Sequence, residues 1–211
     1  VSATSARHET RERLLDAAED LFAAKGFEAV SLREITNTAA ANVAAVNYHF
    51  GSKEKLITAV MMRHIIPINA KRMAMLAELS ARNAKPTVRE VVEAFMRPLV
   101  NHIQSQKPGK GLFAKFMGRL MGEEGACGLP EEAVPSFLET FEQVVKALQE
   151  AVPGLTAQRA YLRLKFCFAV TADAMMQDAA FRQISGGKAG DLDFESLIEE
   201  VLMFCEGGLR A

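Results

Sequence analysis

The chain has 211 residues, 49% of them hydrophobic and 24% charged, with a formal net charge of -1. This composition excludes disorder as the main state, and no apolar run approaches the roughly 18 to 20 residues that a membrane span needs, so a spanning helix is not expected. The near-zero charge gives no compositional sign of a polyanionic partner. The opening VSATSARHETRER lacks the apolar core of a signal peptide, so secretion is not expected. Cys127, Cys167 and Cys205 are an odd set without a C-x-x-C pair, which suggests neither a disulfide framework nor a metal site; a reducing cytoplasm fits best.

In chain order, helix signals dominate. Leu14, Ala17, Ala18, Leu21 and Phe22 recur at spacings of three and four, predicting a helix over 10–25 that Gly26 ends in a left-handed cap. Ser31 and Glu34 read as a capping box opening a short helix that carries Leu32, Ile35 and Ala39 and runs out near Ala41. Asn42 is a good N-cap for a third short helix, VAAVNYHF, closed by Gly51, and Ser52 caps a fourth. The fourth runs from Lys53 to about Ala81, bent or loosened at Pro67. Further helical patterns occupy 87–106, 112–122, 131–151, 157–183 and 192–206, separated by SQKPGKG, GEEGACGLP, VPG and SGGKAG. No segment has strand periodicity. The expected fold is all-α, about nine helices, with a small N-terminal helix-turn-helix unit (1–55), a connecting helix (56–84) and a larger bundle (85–211).

Residues 31–56 carry the chemistry. Two short helices joined by a tight turn can place the second in a DNA major groove while the first crosses the backbone. Ala44 and Ala45 give clearance and can touch thymine methyls; Asn42 and Asn47 offer amides to base edges or phosphates. Tyr48 and His49 can reach phosphates, as can the free N–H groups beside Ser52 and Lys53, and Ser31 with Arg33 would clamp another. Val43, Val46 and Phe50 share a spacing that assigns at least part of their face to the module's own core.

This stretch resembles the N-terminal DNA-binding domain of the TetR family of bacterial transcriptional repressors, whose recognition helix ends in a Tyr-His-Phe-like triplet followed by a Ser-Lys pair. Tyr48, His49, Phe50, Ser52 and Lys53 match it, as do RERLLDAAEDLFAAKGFEAVSL and the isoleucine of SLREI. The likeness runs over residues 9–65, and NVAAVNYHFGSKEKL is also similar to a subgroup that includes regulators of fatty-acid metabolism. It implies contact with double-stranded DNA through Ser31, Arg33, Asn42, Val43, Ala44, Ala45, Asn47, Tyr48, His49 and Lys53. One departure stands out: the family usually has glycine in the turn, whereas this chain reads Ala39, Ala40, Ala41. A positive φ at Ala40 would cost about 1 kcal/mol.

Charge is distributed unevenly. Residues 1–63 hold eight bases and eight acids, yet five of the acids (Glu9, Glu12, Asp16, Glu19, Asp20) lie on the first helix, while 31–55 has three bases against two acids. Local distribution decides phosphate binding.

For the rest of the chain the resemblance implies dimerisation and a small-molecule pocket. The segment 157–183 is apolar on two faces, as expected of a helix either central to its own subunit or shared with a mate. With the last helix it would supply a homodimer interface of Phe166, Ala169, Val170, Asp173, Met176, Leu197 and Val201. Pocket candidates are Phe95, Leu99, His102, Phe113, Phe116, Met117, Leu120, Phe137 and Phe141, suited to a small apolar effector such as a fatty acid or acyl thioester. No cofactor or metal is expected, and the scattered histidines give no enzyme constellation. The resulting expectation is a ligand-responsive regulator, a repressor on a palindromic operator. An activator, or a protein-interaction bundle without DNA, is the alternative.

Overall fold

A computed structural model describes residues 3–105, 113, 131–174, 183–188 and 193–210. Every regular element among them is helical: α1 Ala3–Lys25, α2 Leu32–Thr38, α3 Val43–His49, α4 Lys53–Ser80, α5 Val88–Gln104, α6 Val134–Ala151, α7 Ala157–Ala174 and α8 Phe194–Arg210. Apart from Phe113, the helix expected over 112–122 lies outside the described residues, as do residues 175–182 of the one expected over 157–183. No helix among the described residues is long and apolar enough to cross a membrane.

The chain forms two compact units. The first comprises Val1–Pro67 and Gln106–Val134, the second Ile68–Ser105 and Pro135–Ala211. The first unit therefore extends past residue 55 and ends inside α4. α4 continues through Pro67 without a break, although proline leaves one carbonyl of the preceding turn without its usual donor.

In the first unit Leu14, Ala18 and Phe22 of α1 are fully enclosed with Ile35 of α2, Val46 of α3 and Leu56, Val60 and Met61 of α4. Such burial contributes roughly 1.5 to 3 kcal/mol per large side chain, which is what fixes helices as short as α2 and α3. Gly26 caps α1 at φ 86, its N–H donating to the Phe22 carbonyl at 2.9 Å.

In the second unit α5 packs on α8, and α8 on α7. Val91, Phe95, Val144, Leu148, Leu164 and Leu202 form the centre of one continuous core. A reciprocal capping box fixes the start of α5: Thr87 Oγ1 accepts from the Glu90 N–H at 3.2 Å, and Glu90 accepts from the Thr87 N–H at 2.8 Å. Along one edge Arg97 meets Glu195 at 2.8 Å and Glu93 at 3.1 Å. Cys167 and Cys205 are buried free thiols, and Cys127 lies outside the described residues.

Candidate nucleic-acid interface

The turn between α2 and α3 is set by backbone bonds around one strained residue. Ala40 has φ 48; its N–H donates to Asn37 at 3.3 Å, and the next N–H, of Ala41, reaches back to Thr36 at 2.9 Å. This is a Schellman closure with alanine where glycine usually sits. The positive φ anticipated from the Ala39–Ala41 run is present, and Ala39 is buried against the unit.

Beyond the turn, Asn42 Oδ1 accepts from the Ala45 N–H at 2.8 Å and starts α3. α3 ends at Gly51, φ 83, whose N–H bonds the Asn47 carbonyl at 3.0 Å. Residues 43–50 then divide between two faces. Val46 and Phe50 face the core, while Val43, Ala44, Asn47 and Tyr48 face outward, Tyr48 at 67% exposure. Ala45 and His49 are half-buried. Val43 thus belongs to the outer face and not to the core.

The flanks are partly as expected. Ser31 Oγ accepts from the Glu34 N–H at 3.2 Å, and the Glu34 carboxylate lies 2.5 Å from Lys25 Nζ; that bond first, and the Ser31 backbone N–H last, hold it below the usual carboxylate range. Lys25 at the end of α1 offers a full charge, a stronger partner than the Ser31 N–H. Arg33 is exposed and Lys53 half-exposed, and Ser52 Oγ caps α4 by accepting from the Lys55 N–H at 3.2 Å.

Two basic residues absent from the sequence reading join this face. The Arg7 guanidinium lies 5.7 Å from the Tyr48 ring centroid and that of Arg11 5.5 Å from the Phe50 ring. Burial, then the charges of Arg11 and Arg7, lower the His49 pKa and favour its neutral form. Their four-residue spacing on α1 was the available signal.

Four acids of α1 lie beside bases: Glu9 is 3.5 Å from Arg13, Glu12 2.9 Å from Arg11, Asp16 2.7 Å from Arg63 and Glu19 3.9 Å from the same Arg63. Local pairing therefore offsets the acidity that a count along the helix suggests. An outward helix of small, amide and aromatic side chains, flanked by cations, is chemically suited to a groove bordered by phosphates.

The candidates of the second half are dispersed. Phe95 and Leu99 are buried, and His102, Phe137 and Phe141 are half-buried, all within the second unit. Phe95 and Phe141 meet edge to face at 5.2 Å. Phe113 belongs to the first unit, where it stacks on His64 at 4.6 Å. Phe116, Met117 and Leu120 lie outside the described residues, as does Met176.

On α7, Phe166, Ala169 and Asp173 are exposed and Val170 is half-buried. Val201 is enclosed in its own subunit's core, and Leu197 is half-buried; the outward residues of α8 are Met203 and Phe204. Periodicity alone cannot separate these two faces, because both are apolar.

Residues 14–60 match the family described as "Bacterial regulatory proteins, tetR family", and residues 93–208 the one described as "Tetracyclin repressor-like, C-terminal domain". The chain is 28% identical over 206 residues to the HTH-type transcriptional activator FasR of Mycolicibacterium smegmatis, covering 96% of this chain and 84% of that protein. Among solved structures, the hemolysin II transcriptional regulator HlyIIR aligns at TM-score 0.61 and 19% identity, over 97% of this chain and 99% of the other. SmeT, the repressor of the Stenotrophomonas maltophilia multidrug efflux pump SmeDEF, aligns at 0.62 and 17%, over 94% and 91%.

Proposed function

The chain belongs to the TetR family of bacterial regulatory proteins, whose members are transcriptional regulators and not enzymes, and we propose that it works as a homodimer on a palindromic operator under the control of a small apolar effector. The observation that carries the DNA part is the division of α3, with Val46 and Phe50 holding it to the unit while Val43, Ala44, Asn47 and Tyr48 stand outward. In this reading Asn47 and the two alanines meet base edges, and Asn42 adds the donors of its amide. Ser31, Arg33, Tyr48, His49 and Lys53 meet phosphates. Two-fold symmetry then sets half-sites one helical turn or a multiple apart.

Dimerisation is supported by an apolar surface on the second unit. Leu162 and Phe166 of α7 and Met203 and Phe204 of α8 are each half exposed or more, a pattern that a solvated monomer rarely keeps. Small residues accompany them: a Cβ added at Gly207 or Gly208 would meet nothing within 4 Å, so another helix can approach closely there. Asp173 lies on the same side of α7 and would pair across the two-fold axis. The effector reading places Phe95, Leu99, His102, Phe137 and Phe141 around the ligand, and an acid or acyl thioester with a long apolar chain suits them. Residues 1–55 then read DNA, 56–84 connect, and 85–211 dimerise and bind the effector, in the cytoplasm where the DNA is.

Repression follows if the effector stabilises a dimer whose reading heads no longer match the operator. Activation is the second reading, favoured by FasR being named an activator. Electrophoretic mobility shift on palindromes near the gene, repeated over a salt series, tests the DNA part; binding that shows neither sequence preference nor salt dependence sinks it. Light scattering on Phe166→Asp and Phe204→Asp tests the dimer, and a protein that stays dimeric in both variants removes this interface. A promoter-reporter fusion with and without the gene reads the sign of regulation.

A further inference from the structure

Arg72 of α4 is 2% exposed in the second unit and has no counter-charge among the described residues. Its Nε donates to the Phe95 carbonyl at 2.7 Å and its Nη1 to Asn69 Oδ1 at 3.0 Å. Asn69 is itself oriented by α6, donating through Nδ2 to the Ser136 carbonyl at 3.1 Å and to Ser136 Oγ at 3.3 Å. The guanidinium carbon stands 4.4 Å from the Phe95 ring centroid, and that ring meets Phe141 edge to face. The remaining nitrogen, Nη2, is buried without a hydrogen-bond partner. Neutral dipoles and a ring quadrupole therefore position this group, but none of the described residues neutralises it.

Burial lowers the Arg72 pKa to about 9, which still leaves the side chain cationic at neutral pH. An enclosed cation without an anion is among the least favourable arrangements in a protein interior. A water molecule could fill the empty hydrogen bond but not the charge.

We propose that Arg72 is the docking point for the anionic head of the effector, a long-chain monocarboxylate whose apolar body lies against the Phe95 and Phe141 rings. The proposal deepens the effector reading above and rests on it. A single charge is specified because one guanidinium is unbalanced among the described residues: a carboxylate balances it, whereas a phosphate dianion would leave a buried excess. The planar fork, fixed on two of its nitrogens, presents the third to a carboxylate oxygen in a set orientation.

The test uses calorimetric titration of the full chain with dodecanoate and hexadecanoate and with the matching alcohols, dodecanol and hexadecanol. The expected result is at least one carboxylate bound about ten-fold or more tightly than its alcohol, the preference disappearing in Arg72→Met and returning in part in Arg72→Lys. Equal binding of acid and alcohol by the unaltered protein, no binding of either acid, or a preference that survives Arg72→Met would each overturn the proposal. If Arg72→Met does not fold, the acid-against-alcohol comparison on the unaltered chain decides alone. Operator affinity measured in the same samples separates the two layers. Arg72-dependent carboxylate binding that leaves operator affinity unchanged upholds the anion site and overturns the effector reading. Operator release by acid and alcohol alike does the reverse.

Discussion

His64 Nε2 of α4 lies 3.0 Å from Glu19 Oε2 of α1, and each side chain is only 7% exposed. The same carboxylate is 3.9 Å from Arg63, which also holds Asp16, and the His64 ring is stacked on Phe113. A buried carboxylate thus joins the first helix of the reading unit to α4 through charge proximity in a water-poor setting, where such contacts count for more than at the surface. Glu19→Ala should lower unfolding free energy by about 2 kcal/mol, and Glu19→Gln by less because the amide preserves shape and a polar contact. Urea denaturation checks this; a Glu19→Ala variant as stable as the parent would show the contact to be incidental.

The turn residue Ala40 offers a gain in stability. At φ 48 its Cβ is held in the left-handed region, so Ala40→Gly should raise stability by about 0.5 to 1 kcal/mol, and Ala40→Val should lower it further. The opposite holds at Gly51, where an added Cβ would meet only Lys55 Cδ at 3.8 Å, yet φ 83 penalises any side chain. Gly51→Ala should therefore cost about 1 kcal/mol through backbone strain alone. Thermal melts of the three variants would reveal an error in either sign.

On the DNA face, substitutions should separate by kind. Lys53→Ala or Tyr48→Ala is expected to weaken all sequences alike, and the lysine change to flatten the slope of log affinity against log salt by about 1. Asn47→Ala should instead relax preference at one base position, by about 1 to 3 kcal/mol of discrimination. Competition against single-base operator variants distinguishes these outcomes.

His49 gives the interface a pH dependence of known sign. Burial and the nearby Arg11 and Arg7 lower its pKa in the free protein from the ordinary 6.5, so the stability gained by keeping it neutral is complete above that value and lost as pH falls through the lowered one. A phosphate brought alongside favours the cation and raises that pKa again, so DNA binding takes up a proton in the pH range between the two values. Operator affinity should rise more steeply from pH 8 to pH 6 for the parent than for His49→Gln, measured at constant salt. Parallel pH curves for the two proteins would rule out a phosphate at His49.

Much of this was legible in the chain itself, for identifiable reasons. The caps at Asn42 and Ser52 and the closing glycines at 26 and 51 are local signals, and the structure uses each as read. The left-handed Ala40 followed from a departure at one position. What the sequence concealed depends on tertiary packing. Arg7 and Arg11 look like ordinary solvated charges until α1 is folded beside α3, and the Glu34 contact with Lys25 exists only once α1 and α2 are packed. Val201 and Phe204 are both apolar residues of one helix, and only the packed α5 and α7 reveal which is enclosed. Arg72 gave no signal at all, since an arginine on a helix is nearly always a surface residue.

The brevity of α3 has an informational consequence. Seven residues rising about 1.5 Å each make a segment of roughly 10 Å, close to the roughly 12 Å width of a major groove. Laid along base pairs spaced about 3.4 Å apart, such a segment spans about three of them, so one reading head specifies few bases and the second half-site must carry the rest of the address.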